Sequence, residues 1–464
     1  MTTISSMRGF LASSIGVTCA AALAVPLAFP SGARTTARAA TDRSVSEESA
    51  DIVPGATRSL RMAPLPGDRA GGASSAEGTA RREVRPFSLV GVVWDDAEKE
   101  LHGRVQVRTR ATGGGAWSGW QDLETHNAEH AADRDTPEGA RGAAHGSTAP
   151  LWVGPSDAVE SRVTPERAGG EGEAAGRAGA KRTGTGLPAG LRLDLVDPGE
   201  GSAAGAGGAS GMEGASGAEG AEGMEAASGT EGAEGPEGAG GPAAPLGTLS
   251  ADGDRAGAAP VRSHTGPRPA IVTRKRWGAN ERLREKKFRY TRTVKAAFVH
   301  HTATGNSYTC AQAPSVIRGI YRYHVKSMGW RDIGYNFLID KCGKIYEGRA
   351  GGVTKPVMGA HTLGFNTNST GIAVIGTYSR AKPPAAAVKG VARLTAWKLG
   401  LTGANPKRKV TLVSGGSNRY HKGKKVRMNV ISGHRDGFST ECPGARLYKK
   451  LGTVRSTAAK RQHR

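Results

Sequence analysis

Aromatic residues are scarce in this chain, at 5% of 464 residues, and hydrophobic residues reach only 37%. Glycine is abundant instead, with 69 of 464 residues, about twice its usual share of ~7%. A chain this poor in apolar side chains cannot bury a core along its whole length. Length alone suggests about three domains at ~150 residues each. The composition therefore indicates fewer folded domains, separated by sequence without stable structure.

Acidic residues are scarce in the C-terminal part only. Residues 271–464 hold 39 Lys+Arg and 7 Asp+Glu, a net charge of +32, whereas the remainder holds 25 basic and 34 acidic residues, a net charge of −9. This asymmetry excludes a uniformly basic protein and indicates a boundary near residue 270. Basic surfaces attract polyanions, but the sequence carries no nucleic-acid-binding motif. We therefore expect no specific nucleic-acid partner.

Long apolar runs are absent after residue 29. Residues 10–29 approach the length that spans a bilayer, with Arg8 before them and the small-x-small pattern Ala37-Arg38-Ala39 after them. This order predicts a secretory signal peptide over residues 1–39, and the alternative is an uncleaved membrane anchor. We expect a secreted, extracellular or cell-wall-associated protein with no transmembrane segment after signal cleavage.

Cysteine is rare, with four in the chain. Cys19 leaves with the signal peptide, so Cys310, Cys342 and Cys442 remain, and an odd number requires another role for one thiol. In an oxidising compartment the other two should form a disulfide.

Composition divides the remaining chain into four segments. Residues 40–84 are predicted to be a disordered lead-in, and residues 85–196 a small all-β domain, because short Val-, Leu- and Trp-rich runs alternate with polar residues. Its insertions, such as residues 127–145, are expected to be unstructured. Its tryptophans either stack on sugars or fill the core (Trp94, Trp117, Trp120 and Trp152). Residues 197–267 are a disordered Gly/Ala/Glu linker, and residues 268–464 read as one α/β domain.

The α/β domain alternates strand and helix patterns. Strands are predicted at residues 296–300, 335–340, 344–347, 371–377 and 410–413. Helices are predicted at residues 313–327 and 385–399, and a short third helix from Pro443.

Three residues of this domain form a candidate metal site. His300 ends an apolar strand, and His434 and Cys442 lie close together near the C-terminus. Two imidazoles and a thiolate suit a catalytic zinc site, which leaves the fourth position to water, and this set would account for the odd cysteine. The alternative is that the paired His300 and His301 are ordinary residues at a strand end.

Six motifs occur in order in the same domain: AFVHHTAT at 297–304, GWRDIGYNFLI at 329–339, IYEGR at 345–349, GAH at 359–361 followed by Asn366, GIAVIG at 371–376, and GHRD at 433–436 followed by CPG at 442–444. Together they resemble the peptidoglycan recognition proteins and the zinc N-acetylmuramoyl-L-alanine amidases of the bacteriophage lysozyme type. The resemblance covers roughly residues 268–451. It implies a mixed central β-sheet flanked by helices.

The resemblance assigns the site residues. It implies one Zn²⁺ held by His300, His434 and Cys442, with Tyr335 and Thr440 as catalytic partners beside the metal. Members that only bind peptidoglycan have usually lost the cysteine. A secreted zinc amidase that hydrolyses the bond between N-acetylmuramic acid and L-alanine is therefore expected, and the alternative is a recognition protein that binds without cutting.

Further expectations follow from the resemblance. With Cys442 on zinc, Cys310 and Cys342 remain to form a disulfide, and the alternative is that both are free thiols. His361 and Asn366 match groove positions and either contact substrate or stabilise a loop. The partners implied are peptidoglycan and, through the basic surface, anionic cell-wall polymers.

Two smaller points stay open. Glu347 is either a proton donor or a structural residue. The Gly-Trp pair that accompanies diaminopimelate-type peptides is replaced by Ala350-Gly351, so no preference for a stem peptide is predicted.

Overall fold

The computed structural model describes residues 55–65, 76–140, 144–166, 186–200 and 264–464. The predicted signal peptide, parts of the predicted lead-in and most of the predicted linker lie outside these residues. Within the described part, none of the helices combines the length and apolar character that crossing a membrane requires.

The N-terminal domain is an antiparallel sheet of eight strands. They are β1 (Ala56–Arg61), β2 (Ala63–Pro64), β3 (Glu77–Trp94), β4 (Gly103–Ala111), β5 (Gln121–Leu123), β6 (Gly146–Ser147), β7 (Leu151–Pro165) and β8 (Arg192–Asp197). The main path runs β1-β8-β3-β7-β4-β5, and β2 and β6 both pair with β3. The all-β prediction therefore agrees with the observed sheet.

The sheet begins earlier than the sequence indicated. Residues 40–84 were expected to be disordered, yet β1 and the first half of β3 lie within that range. The partner of β1 is β8, with Ala56 opposite Asp197. A strand whose partner lies about 140 residues away leaves no local periodicity strong enough to identify it.

Alternate residues of β3 pack on two different sides. Val90 and Val92 belong to the core of the N-terminal domain, whereas Leu89 and Val93 pack with Ile317 of the C-terminal domain. The backbone approaches that domain closely at Gly91, where an added Cβ would lie 2.3 Å from the Tyr323 hydroxyl. The two domains therefore share a hydrophobic core.

The four tryptophans of the sheet divide into two pairs. Trp94 and Trp152 are buried. Trp117 and Trp120 are partly exposed and stack with arginine side chains, the guanidinium carbons lying 4.2–5.7 Å from the ring centroids (Arg81, Arg108 and Arg162). Core filling thus explains only the first pair.

The C-terminal domain contains the remaining strands and four helices. The strands are β9 (Ile271–Val272), β10 (Ala296–His301), β11 (Phe337–Ile339), β12 (Ile345–Glu347), β13 (Ser369–Val374), β14 (Lys409–Val413), β15 (Lys425–Asn429) and β16 (Ile431–Gly433). The helices are α1 (Ala313–Arg322), α2 (Ala385–Gly400), α3 (Ala445–Tyr448) and α4 (Leu451–Arg461), and a π-helical turn, Tyr323–Ser327, follows α1.

The central sheet is mixed and has helices on both faces. Its order is β16-β10-β13-β11-β12-β9, and only the β11–β12 pair among these neighbours is antiparallel. Helices α2 and α4 pack on one face through residues such as Leu394 and Val454, and α1 packs on the other through Ile317 and Ile320. β14 and β15 form a separate two-stranded hairpin.

A disulfide joins Cys310 to Cys342. Cys310 lies just before α1, and Cys342 lies in the turn between β11 and β12. The bond therefore connects the start of the helix to the β11–β12 turn of the central sheet, and Cys442 remains a buried free thiol.

The insertion at residues 127–145 differs from its prediction. It is predicted to be unstructured, but residues 127–140 pack against the C-terminal domain, with Asn127, Glu129, His130 and Asp133 each at most 6% exposed. The segment has little regular secondary structure, and contacts with the other domain order it.

Candidate metal centre

Four buried side chains meet at the end of the central sheet. The candidate ligand atoms of His130, His300, His434 and Cys442 all lie within 4.8 Å of one another. The Cys442 Sγ is 3.7 Å from His130 Nε2 and 3.8 Å from His300 Nδ1. The three ligands predicted from sequence are thus brought together, and a histidine of the N-terminal domain joins them.

Strand register explains how two of these histidines meet. β10 and β16 are parallel neighbours, with Val299 opposite Gly433. His300 and His434 each follow one of these paired residues, so both lie at the carboxyl edge of the sheet. Their ring centroids are 4.5 Å apart.

Strand alternation separates His300 from His301, because successive side chains point to opposite faces. The Nδ1 of His301 accepts a hydrogen bond from the backbone N–H of Tyr378 at 3.2 Å. His301 is also not among the four clustered residues. The first histidine of the pair is therefore the candidate ligand.

The chemistry of the cluster fits a zinc ion. Imidazole nitrogen and thiolate sulfur are the ligands that zinc favours. Neither ring nitrogen of His434 has a hydrogen-bond partner of good geometry among the described residues, and a bound cation would satisfy such buried nitrogen lone pairs.

Burial controls the charge of the four side chains. It lowers the pKa of His300 and His434 well below the usual value, with neighbouring histidines adding to the effect. The backbone of Glu129 opposes the shift at His434. Burial likewise lowers the pKa of His130 to about 3 and raises that of the Cys442 thiol. The imidazoles are thus neutral, as metal ligation requires.

Tyr335 lies beside the cluster. Its ring centroid is 5.5 Å from that of His300 and 5.7 Å from that of His130. The side chain is buried, and burial raises its pKa well above 10, with the neighbouring Cys442 adding to the shift. Tyr335 therefore keeps its hydroxyl proton throughout the neutral range.

The Thr440 hydroxyl forms two hydrogen bonds in the structure. Its Oγ1 donates a 2.7 Å hydrogen bond to Glu129 Oε1 and accepts one of 3.1 Å from the backbone N–H of Cys442. Glu129 belongs to the N-terminal domain and is 3% exposed. The threonine thus contacts a buried carboxylate of the other domain.

His361 lies behind His300. Its Nδ1 is 3.3 Å from the Nε2 of His300 and 3.0 Å from Thr362 Oγ1, and the side chain is fully buried. A hydrogen bond to the second nitrogen of a ligating histidine fixes the orientation of its ring. These contacts favour a positioning role for His361 over direct contact with substrate.

Asn366 connects a loop to the inserted segment. Its Oδ1 accepts hydrogen bonds from the backbone N–H groups of His361 and Thr362. Its Nδ2 donates to Asp133 Oδ1 and to the Ala131 carbonyl, both at 2.8 Å. The side chain has no exposed surface, so Asn366 stabilises the loop and contacts the N-terminal domain.

Glu347 has contacts typical of a structural residue. Its Oε2 accepts a hydrogen bond from the backbone N–H of Arg274, and its backbone carbonyl accepts one from the Trp277 indole. These contacts favour the structural alternative over a role as proton donor.

Sequence reasoning missed the contribution of the inserted segment to the site. His130 and Glu129 lie in a stretch predicted to be unstructured, and no spacing motif links them to the C-terminal ligands. One signal was available: acidic residues recur through this stretch, which precedes a strongly cationic domain (Glu129, Asp133, Asp135 and Glu138).

Two family models match the chain. Residues 38–185 match the model described as Rv3811 N-terminal galactose-binding domain-like. Residues 290–445 match the model described as N-acetylmuramoyl-L-alanine amidase. The protein therefore combines a galactose-binding-like domain with an amidase-family domain.

The C-terminal part is similar to animal proteins. Peptidoglycan-recognition protein SC2 of Drosophila simulans is 34% identical over 183 residues, which cover 39% of this chain and 85% of the relative. Peptidoglycan recognition protein 1 of Bos indicus is 32% identical over 187 residues, covering 39% and 81%.

A solved structure of peptidoglycan recognition protein-LE in complex with tracheal cytotoxin, a monomeric diaminopimelic acid-type peptidoglycan, is 34% identical, with a TM-score of 0.31 and coverage of 40% of this chain and 93% of that one. The sequence matches agree with the site geometry: the chain belongs to the family of peptidoglycan recognition proteins and N-acetylmuramoyl-L-alanine amidases.

Proposed function

We propose that this protein is a secreted, zinc-dependent N-acetylmuramoyl-L-alanine amidase that hydrolyses the lactyl amide bond between N-acetylmuramic acid and L-alanine in peptidoglycan. One observation carries the proposal: His300, His434 and Cys442 share one buried cluster, with Tyr335 and Thr440 beside it. Family membership supports peptidoglycan as the substrate class. The basic surface supports anionic wall polymers as further partners.

His300, His434 and Cys442 would hold one zinc ion per chain. When bound, such an ion supplies Lewis acidity, which lowers the pKa of water to about 7 and polarises a carbonyl group. His361 keeps the His300 ring in position through its 3.3 Å contact. The protein thus fixes the ligands before substrate arrives.

Tyr335 and Thr440 act on the substrate carbonyl. Because burial keeps Tyr335 protonated, its hydroxyl can donate a hydrogen bond to the oxygen on which negative charge develops, and Thr440 Oγ1 can do the same once free of Glu129. Donors in a water-excluded site stabilise such charge strongly. The raised pKa makes Tyr335 a poor acid, so we assign proton delivery to the leaving amine to water.

The second candidate is a recognition protein that binds peptidoglycan without cutting it. One observation favours it: His130 adds a fourth side chain to the three ligands, and closed four-ligand zinc sites are usually structural.

The test uses a soluble muropeptide with the full chain and with a His130→Ala variant. We expect the zinc-loaded His130→Ala variant to release a peptide with N-terminal alanine. Chelation should abolish the release, and added zinc should restore it. Muropeptide binding without cleavage by both zinc-loaded proteins would establish the recognition function instead.

A further inference from the structure

We propose that residues 127–140 of the N-terminal domain, called here the plug, hold the metal centre in a latent form in which His130 is the fourth metal ligand. The inference rests on the proposed function and names the regulation of that site. A catalytic zinc site has three protein ligands and an open position. In this structure a third imidazole, that of His130, joins the two histidines and the cysteine as the fourth side chain of the cluster.

The His130 side chain lies inside the metal cluster. Its Nε2 is 3.7 Å from Cys442 Sγ, and its ring meets the His434 ring at a centroid distance of 4.6 Å. The side chain is 6% exposed. An imidazole placed this way would compete with water for a bound metal ion.

Glu129, the residue before His130, is hydrogen-bonded to the C-terminal domain. Its carboxylate accepts the hydrogen bond of Thr440 Oγ1 at 2.7 Å, and its backbone carbonyl accepts one from the Leu363 N–H at 3.0 Å. Adjacent residues of the plug therefore occupy both the metal cluster and one of the two proposed donors to the substrate carbonyl.

Two carboxylates anchor the rest of the plug. Asp133 Oδ1 accepts hydrogen bonds from the Gly364 N–H at 2.7 Å and from Asn366 Nδ2 at 2.8 Å. Glu138 forms a two-pronged ion pair with Arg349, with both N–O distances at 2.8 Å and side chains 7% and 8% exposed. Buried guanidinium–carboxylate pairs of this geometry are strong and directional.

The charge pattern favours a built-in inhibitor over chance packing. The plug places acidic side chains on the domain that carries a net charge of +32. Peptidoglycan stem peptides also present carboxylates, so plug and substrate offer the same chemistry to Arg349. Displacement of the plug would free the metal centre, Thr440 and this guanidinium together.

The first test measures metal coordination in the full-length protein with cobalt(II) in place of zinc and azide as the probe. His130→Ala removes the fourth ligand, and His126→Ala is the matched control because that histidine lies four residues away, is 65% exposed and is outside the cluster. We expect azide to change the visible cobalt spectrum of His130→Ala only. Muropeptide hydrolysis by His130→Ala should exceed that of wild type at least tenfold.

A second variant leaves all four cluster residues in place. Glu138→Gln weakens the Arg349 anchor, and Glu83→Gln, which alters the ion pair of the exposed Glu83 with Arg110 outside the plug, is its control. We expect Glu138→Gln to become partly azide-sensitive and to hydrolyse muropeptide faster than wild type. This variant decides the question if His130→Ala does not fold.

The outcomes separate the two proposals. The proposed role of the plug is contradicted if azide changes the spectra of wild type and His130→Ala equally, or if wild type hydrolyses muropeptide and His130→Ala does not. If only the plug variants respond to azide and none of the proteins hydrolyses muropeptide, the result supports the latent metal centre and contradicts the amidase function. Absence of bound metal in all the proteins contradicts both.

Discussion

At the scale of single residues, the centre consists of side chains that burial holds uncharged. The pKa of each clustered histidine is lowered and that of Cys442 is raised, in every case chiefly by burial. Uncharged imidazoles packed this closely repel one another little, and they leave nitrogen lone pairs available. A divalent cation reverses the preference of a coordinating thiol, which then loses its proton.

The first residue-scale prediction concerns metal content. His434→Ala should lose at least 90% of the zinc that the wild-type chain retains after dialysis, because it removes one imidazole from the cluster. Exposed His421 provides the control, since His421→Ala should retain about one zinc per chain. Metal analysis by mass spectrometry gives the ratio, and full zinc retention by folded His434→Ala would exclude it as a ligand.

The second residue-scale prediction concerns the hydroxyl group of Tyr335. In the His130→Ala background, Tyr335→Phe should lower kcat by about 10²–10³-fold, the usual effect of removing one donor to a developing oxyanion, with unchanged zinc content. Tyr420→Phe is the control and should keep its rate. A Tyr335→Phe variant with an unchanged kcat would remove Tyr335 from the mechanism.

At the scale of elements, the sequence predicted most of the C-terminal domain. Predicted strand 296–300 is β10, and predicted helix 385–399 is α2, because both carry long apolar patterns. Predicted helix 313–327 is α1 followed by a π-helical turn. The register that brings His300 next to His434 could not be read from sequence, because it depends on the pairing of β10 with β16.

The element-scale prediction concerns the disulfide between Cys310 and Cys342, which spans 32 residues. Replacing both by serine should lower the free energy of unfolding by about 3–4 kcal/mol, because the bond restricts the unfolded chain. Chemical denaturation of the zinc-loaded proteins measures the difference. Reduced wild type should match the variant, and equal stability of the oxidised and double-serine proteins would contradict the argument.

At the scale of the whole molecule, contacts between the domains order a segment whose structure the local sequence pattern does not predict. Residues 127–140 carry no helical or strand period, so local patterning predicted no structure there. Their order comes from partners such as Arg349 and Asn366, more than 200 residues away. The same limit applied to β1, whose partner β8 is distant in sequence.

The whole-molecule prediction concerns charge. Binding to purified cell walls should weaken at least tenfold as salt rises from 0.1 M to 1 M, because the screening length falls from about 10 Å to about 3 Å. Replacing exposed Lys425 and Arg427 by glutamine should weaken binding at low salt, whereas replacing exposed Arg81 should not. Binding that does not depend on salt would favour the partly exposed tryptophans of the N-terminal domain.

The proposed function depends on which bond of peptidoglycan the protein cuts. Glycosidases generally need two carboxyl groups at a set separation, whereas residues 271–464 hold only 7 acidic residues and the candidate centre is built from imidazoles and a thiol. Mass analysis of intact peptidoglycan after digestion by the zinc-loaded His130→Ala variant tests this directly. We expect new N-terminal alanine, intact glycan strands and stem peptides that keep their cross-links. New reducing ends, or new N-termini other than alanine, would contradict it.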